Sequence, residues 1–305
     1  MNTPEPGFRV SLVDDYGRDL ADLRAVREVV FVEEQSVPRA LEHDALDPAC
    51  VHAIARDADG RPIGTGRLTP ERRIGRMAVL RDWRGRGVGD ALLQALIDAA
   101  RQRGIGEVSL HAQRSAIGFY VKHGFVPEGP RFMEADIEHQ TMRRALSGAT
   151  AIESREAAVA IVCAIVAGTR RELSICSRTL DPGLFDMPDV LEAIRRLATR
   201  RQRVDIRILL HDADAAQRAH APLIALSQRL PSVFSFREVD DPADRNDASA
   251  YVVNDDGGFY HRPLGNRFDG DAAIDYGGRA RQLAEQFKPV WERARLVTEF
   301  RALGL

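Results

Sequence analysis

The 305-residue chain holds only two lysines, Lys122 and Lys288, and three cysteines, Cys50, Cys163 and Cys176. Each scarcity excludes something. An odd number of cysteines with no C-x-x-C pair supplies neither a disulfide framework nor a zinc site, and reads as small buried thiols in a reducing compartment. Basic charge falls almost wholly on arginine. The formal net charge of -2 gives no global positive field to draw nucleic acid or an anionic membrane. Long apolar runs are missing too: the longest, Ala157 to Ala167, falls well short of the roughly 20 residues that span a bilayer. The opening MNTPEPGFRVSLVDD lacks the charged-then-apolar layout of a secretory signal. These features predict a cytoplasmic protein with no membrane partner.

What is present suits two packed domains. Hydrophobic residues make up 44% and charged residues 29%, the balance of a globular chain rather than a disordered one. Strand and helix signals alternate through the first half. Phe8 to Val13 reads as a strand, Gly17 to Phe31 as a helix, and Val51 to Arg56 with Pro62 to Leu68 as a hairpin around Asp59-Gly60. Ile74 to Leu80 is a strand. Gly87 to Arg103 is an amphipathic helix with Leu92, Leu93, Leu96, Ile97 and Ala100 on one side. Val108 to Ala112 is a strand, and Ser115 to His123 a short helix capped by Ser115. Short strands are expected around Phe132 and Ile137. The small, polar stretch 146–154 reads as a linker. After it the alternation resumes, ending in a long helix from about Gly278 to Ala302 that contains Pro289. The expected organisation is therefore two α/β domains, residues 1–147 and 154–305.

One segment carries chemistry. A strand ending in Met77-Ala78-Val79-Leu80 runs into Arg84-Gly85-Arg86-Gly87-Val88-Gly89 and straight on into the amphipathic helix. Glycines let backbone approach an anion closely, and the first-turn N–H groups of a helix lack intrahelical partners and point along the positive end of its dipole. Arg84 and Arg86 can add charge-assisted hydrogen bonds. Arginine, the Gly87-x-Gly89 spacing and the strand-loop-helix order together predict a diphosphate site.

This unit resembles the acetyl-CoA-binding segment of the GNAT superfamily of N-acetyltransferases, with its R/Q-x-x-G-x-G/A loop. Farther on, Gln113 to Phe125 reads QRSAIGFYVKHGF, similar to the family's later segment, a short helix with a tyrosine that ends in G-F. Val30-Phe31-Val32-Glu33-Glu34-Gln35 and Gln113 further resemble the ElaA-like branch. The resemblance covers residues 8 to about 146. It implies a mixed sheet flanked by helices, acetyl-CoA as co-substrate and an amine as acceptor, without naming that amine.

It also implies roles. A backbone N–H at Ala78, Val79 or Leu80 polarises the thioester carbonyl, where this strand splays from Val108 to Ala112. Tyr120 stands at the family's position for the acid that protonates the leaving thiolate. Candidate bases for the ammonium are Glu33, Glu34, Asp44, Asp47, His52 and His111. His111 is the named candidate, because it sits in the strand facing the cofactor and imidazole titrates near neutrality, with a structural histidine and an ordered water chain in place of any single base as the alternatives. Glu34 and the acidic loop of Glu42, Asp44 and Asp47 are expected to bind a cationic amine, with an ordinary solvated loop as the alternative. No metal is expected.

In the second half, LSICSRTLDPGLFD, VDIRILLHD and AYVVNDDGGFYHRP resemble one half of a phospholipase D-like fold. That family's H-x-K is absent: lysines at 122 and 288 would need histidine at 120 and 286, which are Tyr120 and Gln286. His261-Arg262-Pro263 puts proline where the lysine belongs. The domain is therefore expected to be a non-catalytic accessory module. Arg195, Arg196, Arg200, Arg201 and Arg203 offer an anion- or nucleic-acid-binding face, with a solvated helix end as the plainer reading. The alternative for the whole chain is a non-catalytic acyl-CoA sensor whose second domain binds an anionic or nucleic-acid partner.

Overall fold

The computed structural model describes residues 7–42, 44–219 and 221–300. The chain forms two compact units. Residues up to 114 join with 129–147, and residues 115–128 join with 148 onward. Residues 115–128, which the sequence assigns to the first domain, thus pack with the second.

The first unit is a sheet of β1 (Phe8–Leu12), β2 (Val51–Asp57), β3 (Pro62–Leu68), β4 (Arg73–Val79), β5 (Glu107–Gln113), β6 (Phe132–Glu134) and β7 (Ile137–Ala145). Strands run in the order β1-β2-β3-β4-β5-β7, with β6 pairing on β7. All these pairs are antiparallel except β4–β5, which is parallel. Parallel neighbours need a crossover, and α2 (Val88–Gln102) provides it. The leucine stripe of α2 is buried as its spacing predicts. It lies almost on the backbone of β3: a Cβ at Gly64 would come within 2.9 Å of Leu92 and 3.0 Å of Val88.

On the other side of β3 lies α1 (Tyr16–Arg27), N-capped by Asp15, which accepts from the Arg18 N–H. The sequence predicts one regular helix to Phe31. Instead the helix widens at Glu28–Glu33 into a π turn, where the Glu34 N–H reaches back to the Val29 carbonyl. The run Val29-Val30-Phe31-Val32 crowds a regular helix turn. Such wide turns often occur at functional sites.

The second unit holds β8 (Thr150–Ile152), β9 (Glu172–Ser177), β10 (Asp205–Leu210), β11 (Phe234–Glu238), β12 (Ala250–Asn254), β13 (Phe259–Arg262), β14 (Gly270–Ala273) and β15 (Arg295–Leu296). Their order is β15-β11-β10-β9-β12-β13-β14-β8. Strands β9, β10 and β11 are parallel and the rest pair antiparallel. Helix α4 (Arg155–Gly168), capped by Ser154, is buried nearly all round, as its apolar run requires. Packed with it is α3 (Ile117–Lys122).

Several expectations need correcting here. The linker is not featureless, because Thr150–Ile152 is the edge strand of the second sheet. Ser115 does not cap α3: a 3-10 turn, Arg114–Ala116, precedes it, and Ala116 holds the cap position without a side-chain bond. The final helix covers Gly277–Arg293 and stops there, because Ala294 is extended and β15 begins. Pro289 lies inside it.

Candidate active site

The site in the first unit begins with a fork. Strand β4 bridges β5 at Arg73–Ser109 and Ile74–Leu110, after which it pairs only with β3 among the described residues. A bulge accompanies the parting. Thr65 faces Ala78 and Arg67 faces Gly75, so Gly66 opposes two residues, Arg76 and Met77. Arg76 takes φ +50°, a left-handed conformation that costs a non-glycine residue about 1–2 kcal/mol. A Cβ on Gly66 would meet the Met77 sulfur at 2.5 Å, so glycine is what lets Met77 fold over the bulge.

The fork sorts the three candidate N–H groups. Leu80 donates to the Ile63 carbonyl at 2.9 Å, and Ala78 is matched with Thr65 on β3. Alternation along a strand turns the polar groups of Val79 to the opposite edge, toward the gap. Its carbonyl there accepts from Arg84 Nε at 2.9 Å. Val79 is therefore the donor that faces the fork.

Beyond Leu80 the chain turns through Arg81–Trp83 into the glycine loop. Gly85 and Gly87 have φ +73° and +85°, with open space where a Cβ would stand. Gly87 is the N-cap of α2 and makes no side-chain cap, and the first N–H bonded back to it is that of Ala91. The N–H groups of Val88 and Gly89 thus lie in the first turn, where a helix supplies no intrahelical partner. This cradle of open glycines and donor N–H groups fits a diphosphate. The arginines divide their work. Arg84 is tied to Val79 and, at 2.7 Å, to Glu34, so it fixes the loop and Glu34 holds an arginine rather than a substrate. Arg86 lies 5.2 Å from the centre of the Trp83 ring.

The acidic loop, expected to bind an amine, is engaged with arginines of the same unit. Glu42 and Asp47 are 1% and 4% exposed. Glu42 pairs with Arg27 and, at 3.1 Å, with Arg76; Asp47 pairs with Arg27 at 2.9 Å and with Arg67. Asp44 holds Arg67 at 2.7 Å and Arg76 at 3.2 Å. Hydrogen bonds from Arg67 hold the Asp44 carboxyl at about 2. Three carboxylates and three arginines balance behind the bulge, and Arg76 is braced by a further bond to the Leu41 carbonyl at 2.7 Å. A buried charge needs such pairing. His52, 2% exposed, is kept neutral by burial and bonds the Asp47 carbonyl at 2.8 Å, so it is withdrawn as a base. Asp47, Cys50 and His52 place donor atoms within 4.8 Å of one another. Both Asp47 oxygens there are taken by arginines, whose charges oppose a cation, and we assign no metal to it.

On β5, Ile74 pairs with Leu68 and Leu110, which puts Leu110 on the α2 side with Gly64 and Gly66. Ser109, His111 and Gln113 therefore share the opposite face. Gln113 donates to Gln35 at 2.8 Å. His111 Nδ1 lies 3.0 Å from Glu134. Glu33, exposed at the end of the π turn, joins neither group. Tyr120 belongs to the second unit, on α3. It is 8% exposed between the rings of Phe119 and Phe125, and burial pushes its phenol up to about 12.

The arginine face of the second unit is largely committed within that unit. Arg195 and Arg196 both bind Glu192 at 2.6 Å, and Arg200 donates to the carbonyls of Thr169 and Ala167 at 2.6 and 2.8 Å. Arg201 and Arg203 remain exposed. No helix among the described residues is long and apolar enough to cross a membrane.

Sequence reasoning missed Arg27, Arg67 and Glu134. Arg27 had a signal: it falls four residues after Leu23, in the buried stripe of α1.

Residues 15–146 match the acetyltransferase (GNAT) domain family, and residues 154–303 match a domain of unknown function, DUF7931. The uncharacterised N-acetyltransferase YjcF of Bacillus subtilis is 38% identical over 129 residues, covering 41% of this chain and 91% of that protein. Among solved structures, an acyl-CoA N-acyltransferase from Pseudomonas aeruginosa is 31% identical, with a TM-score of 0.42, over 45% of this chain and 99% of that one. ElaA of Escherichia coli is 24% identical, with a TM-score of 0.41, over the same shares.

Proposed function

Because the chain belongs to the GNAT acetyltransferase family through residues 15–146 and is thereby an acyltransferase, we propose that it moves an acetyl group from acetyl-CoA to an amine at the β4–β5 fork. The observation that carries this reading is the Val79 edge turned into the fork, next to a helix N-terminus that opens on the glycine loop with no side-chain cap. Acetyl-CoA, when bound, supplies an acyl group on a good leaving group. The chain's own groups do the rest. Gly85 and Gly87 give backbone access, and the N–H groups of Val88 and Gly89 hold the diphosphate, with Arg86 adding charge. Val79 donates to the thioester oxygen; one such preorganised donor is worth about 10²–10³ in turnover.

The family resemblance alone assigns Tyr120 as hydrogen-bond donor to the departing sulfur, and a phenol raised to about 12 keeps the proton that role needs. His111 takes the proton that the ammonium must lose before its nitrogen can attack. The link between Gln35 and Gln113 joins the two segments that resemble the ElaA-like branch, which supports that placement. A supply of acetyl-CoA puts the reaction in the cytoplasm. For the second domain, which matches a domain of unknown function, the reading of a non-catalytic, phospholipase D-like accessory module rests on the sequence resemblance alone.

The test is Gly87→Glu, which sets an anionic side chain and a strained φ in the cradle. Calorimetry is expected to show loss of CoA binding with unchanged far-UV circular dichroism; retained affinity refutes the site. Thiol release across a panel of amines then separates a transferase from a sensor, which would bind CoA without turnover.

A further inference from the structure

We infer that Glu134 is the positioning residue for His111, holding it as the tautomer that can accept a proton. This rests on the transferase reading above. His111 is the first residue of β5 past the last bridge to β4, on the face away from α2, and its side chain is 29% exposed. Its Nδ1 stands 3.0 Å from Glu134 Oε2. A carboxylate only accepts, so Nδ1–H is the donor and Nε2 carries the free lone pair. The ring is held from a second direction by Phe132, edge-on at 4.8 Å.

Both contacts come from one hairpin. Strand β6 returns into β7 through Ala135-Asp136, which take φ +48° and +59°, a two-residue turn with both central residues left-handed. Neither is glycine or asparagine, so the turn is held at a cost. Its register pairs Phe132 with His139, and β7 in turn pairs Thr141 with His111. That places the β6 side chains beside the imidazole.

The neighbouring charges are otherwise engaged. His139 bonds the Ile137 carbonyl at 2.8 Å, Glu138 pairs with Arg114 and Arg131, and Arg76 of β4 is held by Glu42 and Asp44. In the step itself an N–H bond of the ammonium breaks and an Nε2–H bond forms. The imidazolium is stabilised by Glu134 until the proton passes to water at the exposed ring edge.

The test compares parent, Glu134→Gln, Glu134→Asp and His111→Gln. The acceptors are spermidine, ethanolamine and lysine, assayed by thiol release, together with long-range ¹H–¹⁵N spectra of the imidazoles. His111→Gln identifies the His111 signals. Expected are an Nδ1–H tautomer in the parent, turnover reduced about 10–100-fold in Glu134→Gln, which removes the charge opposite the imidazolium, with the acetyl-CoA KM unchanged, and partial recovery in Glu134→Asp. An active parent whose Glu134→Gln variant keeps its turnover, or whose own His111 lacks the Nδ1–H tautomer, overturns the inference alone. A parent that binds acetyl-CoA yet turns over none of the amines overturns the transferase reading and this inference with it.

Discussion

Replacing Glu42 by glutamine tests whether the acidic loop is structural or binds substrate. The change keeps shape and removes one charge from a buried group that neutralises two arginines. Arg27, whose side chain is 1% exposed, would keep Asp47 at 2.9 Å and the Glu42 carbonyl at 2.7 Å; Arg76 would keep Asp44. Breaking a buried pair from one side costs about 3–5 kcal/mol, because the partner's charge stays buried. The surviving partners argue for the lower end, about 3 kcal/mol out of a total stability of about 5–15. At about 2–4 °C per kcal/mol for a unit of this size, the midpoint should fall by about 6–12 °C. Calorimetric melting measures this directly. Amine KM, determined well below the new midpoint, should match the parent. A melting point within about 2 °C of the parent, joined to a raised KM for cationic amines, would refute the buried-network account and restore the loop as a recognition surface.

Gly64→Ala should cost about 1–3 kcal/mol by overpacking against Val88 and Leu92. It should also raise the acetyl-CoA KM, since Val88 opens the helix; Gly75→Ala, with nothing near its Cβ, serves as the neutral control in the same thermal and kinetic assays. Tyr120→Phe should keep CoA affinity and lose about 10²-fold in turnover; full turnover removes the donor role. The Asp44 carboxyl is held at about 2 against an ordinary 3.8, so its contribution is complete above that ordinary value and is lost as pH falls through about 2. The gap in melting temperature between parent and Asp44→Asn should accordingly close on acidification; a constant gap would contradict the pairing with Arg67.

The parts legible in the sequence were those set by local chemistry. The leucine stripe of α2, the glycine loop and the hairpin at Asp59-Gly60 each announce themselves within a few residues. The parts that were not legible depend on distant partners. Glu42, Asp44 and Asp47 look like a solvated acidic loop until Arg27 and Arg67 arrive from α1 and β3. The π turn hides because apolar spacing does not distinguish a helix from its widened form. Glu134 is paired with a histidine 23 positions earlier only through the β6–β7 register. Likewise β8 is too short to read as a strand, three residues that look like linker until β14 pairs with them.

That short strand decides where the second domain can be cut from the chain. A fragment beginning at residue 154, where the family match starts, would lose Thr150–Ile152 and leave the backbone N–H and C=O groups of β14 unpaired along an open sheet edge. Such an edge recruits other copies, so precipitation of that fragment would report a severed strand rather than an unstable fold.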